Sequence, residues 1–368
     1  MCTAIKIHTK NNEIIVGRTN EFSGSFGSDL LFLPRGFKYL RFYDRPQYGY
    51  EEIKYATVGN ASTTMIKMGL EFEKYSLIDG MNEFGLSVET HYFPVVFGWK
   101  VIKEADMPEN SNYISGYTLT TLLLGQNKSV AEVREWIKIN HDRIIIMERN
   151  LPAQGFHFQV TDPTGETIVL EPENGVINVK ENPSGVMTNA PQLEWHLENL
   201  ANYIGLRSTD IVSNPKIMDN KGVPFVRRSM GNGIKQLPGD FQATSRYIRA
   251  HYLSQNANIT DNVEDGVNTC FRILHTTDIV AGTVSIAVPD SFMEVEEWEK
   301  LDGDGSFITD ITDSIIVKDL ANRIYYYKDC KNISPRFIRL DDYKNETSEK
   351  RISFHEDNSF KFQEVKFD

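Results

Sequence analysis

The chain has 368 residues, 40 % hydrophobic and 24 % charged, with a formal net charge of −12. That is the balance of a soluble globular protein with ample core, and its acidity counts against nucleic-acid binding, which needs clustered Lys and Arg. Three scattered cysteines, Cys2, Cys270 and Cys330, with no CxxC, argue against a disulfide framework or a structural zinc site.

The second residue draws attention first. Removal of Met1 would make Cys2 N-terminal, placing a thiol and a free α-amine on one residue. The amine has an ordinary pKa of about 7.7–8.0 and can act as a base beside a thiol of about 8.5. The competing reading is a small buried cysteine at the start of a strand. No basic and apolar leader opens the sequence, so a cytoplasmic location is expected, and no run of 18 apolar residues predicts a membrane span.

Ala4–His8 and Ile14–Thr19 read as strands joined by the turn Lys10-Asn11-Asn12-Glu13. This hairpin sets Arg18 and Glu21 beside Cys2. A glycine-rich loop over 23–30 and a short apolar run, Leu30–Leu33, come next. Tyr55–Asn60, Tyr75–Ile78 and Leu86–Thr90 read as strands, the last two joined through Asp79–Gly85. Residues 100–116 read as a polar loop, and Tyr117–Leu124 as an apolar helical run. Ser129 and Glu132 form a capping box that opens a helix to about Asn140, with Val130, Val133, Trp136 and Ile137 on one face.

Gly155–Thr161, Glu166–Glu171, Val176–Val179 and Val186–Asn189 read as further strands. Leu193–Ile204 reads as a helix, 205–238 as an extended loop system, and Thr244–Leu253 and Val263–Leu274 as helices. Gly282–Val288, Ser314–Asp319 and Arg323–Tyr327 close the strand set, and from about Asp341 the chain is charged. Hairpins dominate and βαβ alternation is absent, which predicts an α+β protein with antiparallel sheets and separate helical layers. One domain over 2–340 and a charged C-terminal extension over 341–368 is the simplest division.

Met1-Cys2-Thr3, Gly17-Arg18-Thr19-Asn20-Glu21, Asp79-Gly80-Met81-Asn82-Glu83-Phe84-Gly85, Met187-Thr188-Asn189-Ala190-Pro191 and Pro238-Gly239-Asp240 with Ser245-Arg246 stand in order along the chain. Together they resemble the choloylglycine hydrolase family, which includes bile salt hydrolases and penicillin V acylases. The resemblance implies an N-terminal nucleophile (Ntn) hydrolase with a four-layer αββα sandwich, acting on linear amide C–N bonds. It implies Cys2 as nucleophile, Arg18 and Arg246 as active-site arginines, Asn82 and Asn189 as oxyanion donors, and Glu21 as the residue that holds the N-terminal amine. Better-known members carry Asp at that last position; Glu keeps the charge with one more methylene, and activity is expected to survive. Asn82 is the bile salt hydrolase variant where penicillin V acylases often carry Tyr, which leans the substrate toward conjugated bile salts. The alternatives are a penicillin V or N-acyl homoserine lactone acylase, and a catalytically silent member acting as a binding protein.

No cofactor is implied, and the eight histidines show no HExxH spacing for a metal. The expected partner is a small-molecule amide. Family members are often tetramers, so the resemblance admits a homotetramer. Phe22, Phe26, Leu30 and His91-Tyr92-Phe93-Pro94 are candidates to line an acyl pocket.

Overall fold

In the computed structural model the N-terminal alternation does become an antiparallel hairpin, β1 (Cys2–His8) and β2 (Ile14–Ser23). Asn12 takes the left-handed turn position at φ 63°. Cys2 lies opposite Asn20, and Ala4 opposite Arg18. Side chains alternate across a strand, so Val16 packs with Leu30, Phe32, Val58 and Met81 on one face of β2. On its other face Ile15 packs with Tyr247 and Phe271. The structure describes all residues except 24–27, 43, 63–73, 150–151, 211–212, 219, 227–229, 288–306 and 355–368.

Seven further strands follow in the first half of the fold. They are β3 (Ser28–Leu33), β4 (Thr57–Ser62), β5 (Leu77–Asn82), β6 (Ser87–Tyr92), β7 (Phe156–Thr161), β8 (Thr167–Glu173) and β9 (Val176–Glu181). With β15 (Lys350–Ser353) they make one antiparallel sheet in the order β9-β8-β7-β6-β5-β4-β3-β15. The second sheet runs β10-β1-β2-β12-β13-β14, from β10 (Val186–Met187), the hairpin, β12 (Phe307–Asp319), β13 (Ile324–Asp329) and β14 (Arg336–Arg339). A short strand, β11 (Ser285–Ala287), also pairs with β12.

Helices α1 (Leu119–Gln126) and α2 (Val130–Asn140) cover the outer face of the first sheet, where Leu122, Leu123, Val133 and Ile137 pack with Val88, Phe158 and Leu170. After α3 (Leu193–Asn199), helices α4 (Ala243–Asn256) and α5 (Val263–Leu274) cover the second sheet through Tyr247, Val267 and Phe271. The result is the four-layer αββα sandwich of Ntn hydrolases. α1 is buried all round, whereas α2 and α5 each bury one face. Ser129 caps α2 by accepting from the Glu132 amide, as its capping box requires. Close packing of α5 needs Gly17, where an added Cβ would sit 2.4 Å from Cys270 Sγ.

Several elements differ from the sequence reading. Asp79–Asn82 lies inside β5 rather than in the turn, because β4 and β6 pair with it from both sides and ladder bonds override turn propensity. Residues 100–116 contain strands Val101–Lys103 and Ile114–Ser115, both parallel to Ile144–Glu148. Residues 205–238 include a hairpin of Ser213–Met218 and Pro224–Val226. The helix after Pro191 ends at Asn199 and continues as a 3₁₀ turn. Of the charged tail, β15 pairs with β3 and Phe354 is buried, while 360–362 lies outside the described residues.

The space between the sheets is partly ionic. Lys318 Nζ on β12 meets Glu89 Oε1 on β6 at 2.6 Å, both fully buried. Removing one member of such a pair strands a charge and typically costs about 3–5 kcal/mol, whereas an apolar replacement of both is often neutral. Lys318→Met should therefore lower stability by about 3–5 kcal/mol in urea denaturation, and Lys318→Met with Glu89→Leu should recover most of it.

Candidate active site

Residue 2 is gripped from three sides. Its amide donates to Asn189 Oδ1 at 2.9 Å. Its carbonyl accepts from Arg246 Nη1. Its sulfur lies 3.2 Å from Arg18 Nη2 and 4.0 Å from Asn20 Oδ1. Cys2, Arg18, Glu21, Asn189 and Arg246 are all buried, although they come from β1, β2, the end of β10 and α4.

Arg18 stands on the inner face of β2, which strand alternation dictates once Val16 faces the same way. Its Nη1 donates to the Ile78 carbonyl at 2.6 Å and to Asp79 Oδ2 at 3.1 Å. Its Nη2 also reaches Asn20 Oδ1 at 3.1 Å. Burial works against the guanidinium charge, yet Cys2 and Asp79 outweigh it and raise its pKa. Asp79 is held in turn by the Tyr325 hydroxyl at 2.5 Å.

Arg246 enters from the first turn of α4, where its Nε donates to the Phe241 carbonyl at 2.8 Å. It donates to Thr3 Oγ1 at 2.7 Å and to Asn189 Oδ1 at 2.8 Å. Its pKa is lowered, by burial first, with Glu21 and Cys2 opposing. Asn189 thus accepts from both Cys2 and Arg246. One of its two amide hydrogens goes to the Tyr92 carbonyl at 2.9 Å, and the contacts of Cys2 and Arg246 all use Oδ1.

Tyr92 ends β6. Phe93 N donates to Gly155 O across to β7, so Tyr92 and its partner Phe156 form a non-hydrogen-bonded pair. In such a pair the amide and carbonyl of Tyr92 both face away from β7, on the side where Asn189 lies.

Glu21 is the buried carboxyl of the group. Its main chain pairs with Met1, whose amine donates to the Glu21 carbonyl at 2.7 Å and whose carbonyl accepts from the Glu21 amide at 2.8 Å. Its Oε1 accepts from Thr312 at 3.3 Å, and Oε2 has no hydrogen-bond partner. Burial pushes its pKa up to about 7, against the pull of Arg246 and the N-terminal amine.

Asn82 is not brought to this cluster. Its Nδ2 donates to the Leu124 and Asn127 carbonyls at 2.8 and 2.7 Å. Its Oδ1 accepts from the Phe84 and Leu86 amides at 3.0 and 3.1 Å. Every polar valence of the carboxamide is spent on the β5–β6 turn and the end of α1. The substrate leaning drawn from Asn82 goes with it. The pocket candidates also divide: Leu30, His91 and Phe93 are buried in the sandwich, Tyr92 is 45 % exposed, and Phe26 lies outside the described residues.

Asn20 and Asp79 reach the site without having been singled out for it, and Tyr92, expected as a pocket-lining side chain, reaches it through its main chain. Asn20 and Asp79 sat inside quoted motifs, and alternation from Arg18 would have found Asn20. Tyr92 depends on where β6 ends, which no local pattern states. Among the described residues, no cluster of His, Cys, Asp or Glu is arranged to hold a metal, and no helix is long and apolar enough to cross a membrane.

The family described as linear amide C–N hydrolases, choloylglycine hydrolase family, matches residues 2–292. A bile salt hydrolase/transferase from Clostridium perfringens is 31 % identical over 333 residues, 90 % of each chain. One from Lactiplantibacillus plantarum is 28 % identical over 351 residues, 95 % of each. The crystal structure of a mutant conjugated bile acid hydrolase from Clostridium perfringens covers the whole of both chains with a TM-score of 0.79 at 26 % identity. Penicillin V acylase from Agrobacterium tumefaciens, at 19 % identity and a TM-score of 0.66 over 96 % of this chain and 91 % of its own, shares the fold.

Two outcomes follow from the geometry. Asn82→Ala should cost at least about 2 kcal/mol of stability, since it orphans buried carbonyls and amides. Its kcat per folded molecule should stay within about tenfold, whereas Asn189→Ala should lower kcat about 10²–10³-fold. For Glu21, a folded pKa raised to about 7 means the folded state holds the proton that the unfolded state releases. Its contribution to stability is therefore present below about pH 4.5 and lost as pH rises to about 7. Glu21→Gln should flatten that decline and stabilise the protein at pH 8 relative to wild type by up to about 3 kcal/mol, read from urea midpoints at pH 4.5 and 8.

Proposed function

The chain belongs to the linear amide C–N hydrolases of the choloylglycine hydrolase family, and from that premise we propose that it cleaves conjugated bile salts through Cys2, Arg18, Asn189, Arg246 and Glu21. It is an amidase of the N-terminal nucleophile class. The observation that carries the site reading is the three-sided grip on residue 2, which leaves its sulfur beside a buried guanidinium.

Loss of Met1 converts the Cys2 amide into an amine, still within reach of Asn189 Oδ1. The amine lone pair takes the thiol proton as sulfur attacks the substrate carbonyl. Arg18 favours the thiolate by charge proximity. The tetrahedral oxyanion is met by the remaining Asn189 amide hydrogen and by the Tyr92 main-chain N–H, which faces the same side. The C–N bond breaks, the leaving amine takes the proton from the Cys2 ammonium, and a thioester remains. Water attacks that thioester, with the Cys2 amine as base, and releases the acid and the thiol.

Arg246 acts on the main chain, fixing the Cys2 carbonyl and Asn189 Oδ1 together. The Glu21 carboxyl lies close enough to the Met1 amine to interact with its charge, and after processing it orients the new Cys2 amine one residue on. Support for a bile-salt substrate comes from relatives that carry that activity in their names over nine-tenths of this chain or more.

Intact-mass measurement should find Met1 absent from active protein. Cys2→Ala should lose at least about 10³-fold in kcat on glycine and taurine bile conjugates. Turnover that survives Cys2→Ala would remove the nucleophile. Preference of the processed wild type for penicillin V or acyl homoserine lactones would replace the substrate class, and failure on the whole panel would make the chain a silent, binding member.

A further inference from the structure

Behind Asn189 lies a row of buried ionisable side chains that the amide chemistry does not use. His91 on β6 is opposite His157 on β7, and the next strand brings Glu171, one step past the Phe158–Leu170 pair. All three are almost wholly buried. The two imidazoles converge on the residue before Asn189. The Thr188 carbonyl receives His91 Nδ1 at 2.7 Å and His157 Nε2 at 2.9 Å. The next carbonyl, that of Asn189, receives His196 Nε2 at 3.0 Å.

Hydrogen-bond accounting fixes the protons. A carbonyl oxygen only accepts, so both His91 Nδ1 and His157 Nε2 carry hydrogen. The other nitrogen of His157, Nδ1, faces Glu171 Oε1 at 3.1 Å. Glu171 is otherwise surrounded by donors: the Leu193 amide at 3.1 and 3.3 Å and Lys180 Nζ at 3.0 Å. The Leu193 amide and the Lys180 ammonium both require an acceptor there, which the carboxylate form supplies. A carboxylate is acceptor-only, so Nδ1 must donate as well. Phe93 stacks on the His157 ring at 4.5 Å and locks its plane.

We propose that Glu171 keeps a hydrogen on both ring nitrogens of His157, and that this imidazolium, through the Thr188 carbonyl, positions Asn189 for its contacts with Cys2 and the substrate oxyanion. The pair is a positioning device, since neither side chain touches Cys2. The catalytic part of the claim rests on the role given to Asn189 above, but the placement of Asn189 does not.

Two measurements test it on the full chain. ¹⁵N NMR of histidine-labelled protein should show both His157 nitrogens protonated in the wild type under the conditions in which Nδ1 is unprotonated in Glu171→Gln. An unprotonated Nδ1 in the wild type overturns the proposal whatever the enzyme turns over. Asn189 side-chain amide resonances should shift in both His157→Ala and Glu171→Gln; unmoved resonances also overturn it. With a bile-salt conjugate, His157→Ala should lower kcat about 10²-fold with little change in KM, as expected for misplacement of a catalytic group by about 1 Å. His157→Gln, which can still donate to Thr188, should recover about tenfold of that loss. A wild-type kcat in soluble His157→Ala, or equal losses in the Ala and Gln variants, would reduce the pair to a stability element. If the wild type turns over no substrate, the amidase reading fails and the NMR results alone decide the positioning claim.

Discussion

A buried guanidinium joins the two sheets beside Cys2. Arg18 belongs to the second sheet, and its acceptors Ile78 and Asp79 belong to the first. A cation taken from water is tolerated only when its hydrogen bonds are met and its charge is paired. Asp79 supplies the charge and the Ile78 carbonyl another acceptor, which leaves one edge of the guanidinium for Cys2 Sγ. The same contacts that allow Arg18 to be buried therefore aim it. With the two sheets packed as they are, Arg18 therefore stands beside Cys2 Sγ.

Asn189 works by a similar logic on the other side. Its carboxamide is an acceptor for Cys2 and Arg246 and a donor to Tyr92, so its rotamer is set by the elements around it and not by its own short segment. Three imidazoles hold the carbonyls of Thr188 and Asn189 from behind. Two of these contacts tie the main chain beside Asn189 to strands of the other sheet.

Much of the candidate site was legible because the hairpin is local. The turn at Asn12 and the alternation of β1 and β2 fix the Cys2–Asn20 and Ala4–Arg18 pairs, and with them Arg18 and Glu21. Asn189 and Arg246 were legible only by resemblance, since nothing near either residue says that β10 and α4 converge on the N-terminus. Asn82 was misread because a good turn residue and an oxyanion donor look alike in sequence. The difference lies in Leu124 and Asn127, more than forty positions away, whose carbonyls take both of its amide hydrogens. Asp79 was read into a turn for a related reason: a strand bounded on both sides gains ladder bonds that propensity does not register.

By itself the sequence determined the α+β class, the first hairpin, the capped helix after Ser129 and the presence of a thiol that becomes N-terminal when Met1 is lost. These follow from periodicity, turn chemistry and capping, which act over a few residues. Tertiary structure decided which carboxylate backs Arg18, which asparagine accepts from the Cys2 amide, and that Tyr92 and the His157–Glu171 pair stand against the Thr188-Asn189 segment. Those choices depend on the register of strands far apart in the chain and on how two sheets face one another. Register shifts of one residue turn every side chain to the opposite face, and only long-range pairing sets it.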